Sequence, residues 1–160
     1  MMKADELKRH AFFLVFGEQE LEKIGMVTQK NTYKKGDVIY KKGDPAQKFF
    51  VVSKGVVSLR EFQPGDTIGI AFETRSAGEV FGVASLMPTK TYTLTAVCQD
   101  DTELLEVDVK GSEEIIQWAP SVGYIFMKEV AQIYFERYRL CKRQLYQMVK
   151  TPTLITALPG

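Results

Sequence analysis

Cys98 and Cys141 are the only thiols in the chain, and His10 is the only imidazole. Two cysteines are too few for a disulfide framework or a four-ligand zinc centre, and one histidine cannot build the two- or three-imidazole sites of metal catalysis. Ser53 and Ser58 lie in strand-like runs with no base near them, and no G-x-S-x-G, P-loop or dinucleotide fingerprint is present. The chain is therefore predicted to be no enzyme and to hold no metal or cofactor. One cluster suits binding instead: Phe81-Gly82 opens the run Val83-Ala84-Ser85-Leu86, and Thr89-Lys90-Thr91-Tyr92 follows. A glycine ahead of a helical turn lets free amides and a positive dipole end approach an anion, with Ser85, Lys90 and Thr91 as further donors. Plain capping and solvation of a loop explains the same serine and threonines.

The composition sets the scale of the scaffold. A length of 160 residues with 45% hydrophobic and 26% charged residues predicts one globular domain. Twenty-one Lys and Arg against 20 Asp and Glu leave a charge of +1, with none of the basic excess of a nucleic-acid protein. The N-terminal MMKADELKRH is charged, and the apolar run Ala11 to Phe16 is too short for a signal peptide or a membrane span. No nucleic acid, no membrane and a cytoplasmic, reducing location are the expectations.

Asp5 to Phe16 and Glu18 to Met26 place apolar residues at helical spacing, which predicts short helices on either side of Gly17. From residue 31 to 111 the pattern changes to eight short apolar or alternating runs: TYKK, DVIYKK, KFFVVSK, VVSLREF, TIGIAFE, EVFGVAS, YTLTAVC and TELLEVDV. Turns such as Gly36-Asp37, Gly43-Asp44, Lys54-Gly55 and Pro64-Gly65-Asp66 cut them apart. The expected fold is mainly β with flanking helices: an eight-stranded β-roll, or jelly roll, with short N-terminal helices and a long C-terminal helix. Residues 1–30 form the N-terminal helices, 31–111 the roll and 112–150 the C-terminal helices, leaving 151–160 as a tail.

Ser112 is the predicted start of the first C-terminal helix, with Pro120-Ser121 breaking and restarting it. Met127, Ala131, Tyr134, Tyr138, Cys141, Leu145 and Met148 then follow a 4-3 spacing, the seam of a coiled coil. A helix from Ser121 to Lys150 is about 45 Å long, more than a small roll can cover, so a homodimer through this helix is predicted. Lys128, Arg137, Arg139, Lys142, Arg143 and Lys150 face only Glu129 and Glu136, making this helix basic.

The sequence as a whole, and above all YKKGDVIYKKGDPAQKFFVVSKGVVSL with Gly36, Gly43 and Gly55 at turn positions, resembles the cyclic-nucleotide-binding domain family from about residue 5 to 150. The resemblance implies a phosphate-binding cassette between two strands. In that pattern a Phe-Gly-Glu opens a short helix, the glutamate accepts from the ribose, and an arginine grips the phosphate before an Ala-Thr-Val-type strand. Here Phe81, Gly82 and Leu86 match, Val83 stands at the glutamate position, Lys90 at the arginine position, and the loop is about two residues short. The implied ligand-binding set is Gly82, Val83, Ala84, Ser85, Lys90, Thr91 and Tyr92.

A hydrogen bond to a charged group contributes about 1.5–3 kcal/mol, so these two changes cost two to four decades of cyclic-nucleotide affinity. The expected function is a small-molecule-sensing regulatory domain whose ligand is a phosphate-bearing anion or nucleotide and whose signal passes through the dimer helix. A ligand-free dimeric scaffold or interaction module is the alternative. A sensor half of a transcription regulator is a third reading, although a following helix-turn-helix needs about 60 residues and ten remain after Lys150.

Overall fold

Each of the eight glycine-punctuated runs supplies one strand. The structure, a computed structural model, describes residues 1–149, so Lys150 and the predicted tail 151–160 lie outside the described residues. The chain divides into two units, Met1–Val122 and a second that starts at Gly123.

In the first unit the strands are β1 (Thr28–Tyr33), β2 (Val38–Tyr40), β3 (Lys48–Lys54), β4 (Val56–Glu61), β5 (Ile70–Ser76), β6 (Val80–Phe81), β7 (Thr95–Cys98) and β8 (Thr102–Asp108). They form two antiparallel four-stranded sheets, ordered β1-β8-β3-β6 and β2-β7-β4-β5. Gly36, Gly43 and Gly55 have φ of 88°, 90° and 90°, as their predicted turn roles require. The core between the sheets holds Tyr40, Phe50, Val52, Val57, Leu59, Phe81, Tyr92, Ala96 and Leu104. In β3 the run Phe49-Phe50-Val51-Val52 is buried on both faces, which explains its unbroken apolar character. Phe50 and Val52 enter the core between the sheets, while Phe49 meets the ring of Phe12 edge-on at 6.2 Å.

Phe12 belongs to the N-terminal segment, which is less regular than predicted. Instead of one helix from Asp5 to Phe16 there is α1 (Ala4–Leu7), a 3-10 turn (Ala11–Phe13) and then α2 (Glu18–Met26). The aromatic side chains Phe12, Phe13 and Phe16 pack on one another in this segment, so tertiary packing sets its path. β1 begins at Thr28, four residues before the TYKK run, because β8 offers a full partner from Thr102 to Val107.

The other boundary shifts have similar causes. β7 begins at Thr95 and not at Tyr92, since Tyr92 bonds the Gly43-Asp44 turn: its N–H donates to Asp44 O at 3.1 Å, and its carbonyl accepts from Gly43 N–H at 2.8 Å. α3 (Val109–Trp118) starts earlier than Ser112 because Asp108 is the N-cap, its Oδ1 accepting from Gly111 N–H at 2.9 Å. Ser112 instead donates its hydroxyl back to Asp108 O. α4 (Pro120–Met148) restarts at Pro120, whose missing N–H costs nothing in a first turn.

Glu106 is the buried charge of the roll, 3% exposed, on the same face of β8 as Leu104. Lys48 Nζ donates to it at 2.6 Å and Tyr33 OH at 2.5 Å. Burial pushes this carboxyl up, but the hydrogen bonds from Lys48, Tyr33 and Asn31 outweigh it and hold the group below its usual range. A lowered folded pKa means stability that is complete above the unfolded value of about 4.3 and is lost as the pH falls through the folded value. Glu106→Gln is therefore expected to lower stability by about 1.5–3 kcal/mol near neutral pH. It is also expected to flatten the acid limb of the stability curve below pH ~4.3, which urea titrations at several pH values will measure.

Candidate functional site

Gly82 sets the geometry of the predicted cassette. It has φ +74°, and a Cβ there would lie 2.9 Å from the Phe50 ring and 3.3 Å from Lys48 O, so only glycine fits. The chain then makes a short 3-10 turn, Val83–Leu86, and not an α-helical one. Ser85 Oγ donates to Gly82 O at 2.9 Å, and its own N–H points to the same carbonyl at 3.2 Å. Val83, Ala84 and Ser85 are all buried, Val83 at 3% exposure.

The far end of the loop faces solvent. Lys90 adopts φ +43°, the one non-glycine residue with positive φ in the described chain, and its Nζ pairs with Glu113 Oε1 of α3 at 2.6 Å. Both side chains are about half exposed. Thr91 is exposed and donates to Thr89 O, forming a local turn. An isolated bridge between Pro45 and Thr91 and a bond from Ala46 N–H to Lys90 O at 2.8 Å fix the loop against the β2–β3 connection.

Tyr92 turns inward. Its ring stacks on Tyr40, centroids 3.6 Å apart and 10° from parallel, and Tyr40 in turn neighbours Phe50 and Phe81. Its hydroxyl donates to Lys48 O at 2.6 Å and accepts from Lys48 N–H at 3.3 Å. Burial pushes the Tyr92 phenol up to about 12, so it stays a neutral donor. The Tyr92 ring thus fills the core beside the cassette.

The seven predicted ligand residues thus separate into two groups. Gly82 to Ser85 and Tyr92 belong to the interior, while Lys90 and Thr91 stand at the surface. Three relevant partners had no signal in the sequence: Glu113, Tyr40, and the Glu73–Arg75 pair of β5. Those two residues register against Leu59 and Val57, share their inner face, and bond at 2.5 Å. Among the described residues no group of His, Cys, Asp and Glu is arranged to hold a metal, and no helix is long and apolar enough to cross a membrane.

In the second unit the predicted seam is a continuous exposed stripe of α4. Met127, Ala131, Tyr134, Tyr138, Cys141, Leu145 and Met148 are all exposed, Tyr138 by 38% and Leu145 by 40%. Phe126, Val130 and Ile133 form a separate, buried stripe of the same helix.

The comparisons with known proteins agree with this architecture. A cyclic nucleotide-binding domain from Methylobacillus flagellatus superposes with a TM-score of 0.72 at 14% identity, covering 94% of this chain and 84% of its own. The catabolite activator protein of Thermus thermophilus gives 0.67 at 24% identity over 86% of this chain, which spans 62% of that protein. The sensor domain of the transcriptional regulator DNR from Pseudomonas aeruginosa gives 0.66 at 18% identity, covering 81% of this chain and 91% of that domain. At these identities the likeness establishes the fold. No curated protein matches the sequence. The profile of the cyclic nucleotide-binding domain matches residues 30–117, more than half of the chain and the whole of the roll from β2 to β8. The chain belongs to the cyclic nucleotide-binding domain family.

Proposed function

We propose that this chain is a sensing module that works as a homodimer through α4, and that its cassette responds to a small phosphate-bearing anion and not to cyclic AMP held in the family's usual way. The Lys90–Glu113 ion pair carries this reading. It presents a cation at the mouth of the cassette, already engaged by an anion, and a half-exposed pair of this kind is worth only about 0–1 kcal/mol. A phosphate with several charged oxygens competes well against one carboxylate, and Thr91 beside Lys90 adds a hydroxyl donor.

Exchange of partners at Lys90 releases Glu113, which lies at the middle of α3. α3 leads through Ala119 into α4, so the anion acts on the element that connects to the dimer helix. A shift of this kind needs the anion to bind one helix arrangement better than the other. Val83 supports the exclusion of cyclic AMP: at the ribose position it offers a buried isopropyl group and no acceptor.

Calorimetric titration with inorganic phosphate, pyrophosphate and cyclic AMP tests the reading. Lys90→Ala is expected to abolish anion binding, and Glu113→Gln to tighten it up to about fivefold by removing the competing carboxylate. Val83→Glu is expected to improve cyclic-nucleotide binding by up to about 1.5–3 kcal/mol through the ribose contact. Binding that survives Lys90→Ala unchanged refutes the assignment of the anion site.

The alternative reading, a ligand-free dimeric interaction module, is favoured by the Tyr40–Tyr92 stack, which leaves the core beside the cassette filled. Absence of binding by every anion and nucleotide, with the dimer intact, is its expected result. A sensor half of a transcription regulator is consistent with either reading of the cassette.

A further inference from the structure

Beyond the dimer stripe and the buried stripe, α4 carries a third face. Phe135, Arg139, Lys142 and Tyr146 follow one another at spacings of four, three and four residues, with Arg143 beside them. At about 100° per residue this stripe lies roughly 100° round the helix from the seam and opposite Phe126, Val130 and Ile133. A dimer formed through the seam therefore leaves it open.

Among the described residues Arg139 and Arg143 have no ion-pair partner, and Lys142 has only the ring of Tyr138 beneath it, 5.2 Å from the centroid. Phe135 and Tyr146 are 60% and 73% exposed at the two ends of the stripe, about 16 Å apart along the axis. Between them Arg139, Lys142 and Arg143 are all exposed, with Glu136 and Leu140 beside them on the same helix. Lone solvated cations need no aromatic neighbours, whereas a basic cluster bounded by exposed rings is the composition of a docking face.

We propose that this face docks an acidic helical segment of a partner protein. Two or three carboxylates at i, i+3 and i+4 of such a segment match the spacing of Arg139, Lys142 and Arg143, where guanidinium forks bind carboxylate bidentately. Apolar residues one turn outside the carboxylates then cover Phe135 and Tyr146. A short acidic segment fits better than an extended polyanion, because residues 120–149 hold five cations and two carboxylates while the rest of the chain is net acidic. With a total charge of +1, the rest of the chain adds no long-range attraction to a membrane surface or a nucleic acid beyond that of this one helix.

The test uses the full chain and a fluorescein-labelled helical peptide of about 14 residues with a Leu-Glu-Glu-Leu pattern, long enough to span the stripe, beside a version with every Glu replaced by Gln. Fluorescence anisotropy at about 0.1 M salt, where the Debye length is about 10 Å, reads the affinity. The Glu peptide is expected to bind at least about tenfold more tightly than the Gln peptide. The double variant Arg139→Gln, Arg143→Gln is expected to lose at least the same factor while keeping the wild-type circular dichroism and sedimentation. Equal binding of the two peptides, no binding of either, or binding indifferent to the double substitution overturns the proposal. So does tighter binding, through the same arginines, of vesicles with about 30% phosphatidylserine or of a single-stranded RNA.

Discussion

Tyr138→Asp or Leu145→Asp is expected to convert the protein from dimer to monomer. The two side chains sit in the middle and near the end of the exposed 4-3 stripe of α4, a helix about 44 Å long. In the proposed dimer each meets its counterpart across the seam, so one substitution places two carboxylates in a closed apolar contact. Burying an unpaired charge costs several kcal/mol, and the two-fold symmetry applies that cost twice. Sedimentation or light scattering at about 10 μM reads the result directly, since a dimer with nanomolar affinity that loses about 6 kcal/mol weakens to a Kd of about 25 μM and is then mostly monomer at that concentration. A wild-type chain that is already monomeric at micromolar concentration refutes the dimer. Phe135 and Tyr146 serve as internal controls: they are more exposed than Tyr138, yet they lie off the seam, and their replacement is expected to leave the dimer intact.

Tyr92→Ala is expected to be the most destabilising single change in the cassette. The ring is buried against Tyr40, and the surrounding Phe50 and Phe81 rings, themselves stacked at 4.9 Å, are held too firmly to collapse into the space. Removing a large aromatic side chain from such a site costs about 3–5 kcal/mol, which for a chain of this length lowers Tm by roughly 10 °C. The space left behind is lined by aromatic groups and is expected to accept a small aromatic molecule. Saturating indole should therefore recover part of the lost Tm in the variant and none in the wild type. Tyr92→Phe separates ring from hydroxyl: it keeps the stack, loses the bond to Lys48 O, and is expected to cost about 1 kcal/mol. A Tyr92→Ala protein that melts with the wild type shows that the core beside the cassette is not closed by this ring.

The roll was legible because its signals are local. Short apolar runs and turn glycines are written at each strand, and every predicted run produced one. The apolar spacing from Asp5 to Phe16 predicts a helix, but three clustered phenylalanines satisfy the same spacing, and Phe12 among them meets Phe49 of β3, 37 residues away in sequence. Ser112 has the residue type of an N-cap, but Asp108 sits where the amides point.

The cassette shows the same limit more sharply. Its departures at Val83 and Lys90 could be read from a single position each. What replaced them could not: Glu113 reaches Lys90 from 23 residues away, and Tyr40 reaches Tyr92 from 52. A residue that occupies a site leaves no periodicity and no motif. It is recognised only when the fold brings it there.

Calorimetric titration of the unmodified chain with cyclic AMP, alongside pyrophosphate, tests the altered cassette most directly. The buried Val83, the filled interior at Tyr92 and the Lys90–Glu113 pair together predict pyrophosphate binding that depends on Lys90, with cyclic AMP bound weakly or not at all. Submicromolar binding of cyclic AMP by the wild-type protein would contradict it.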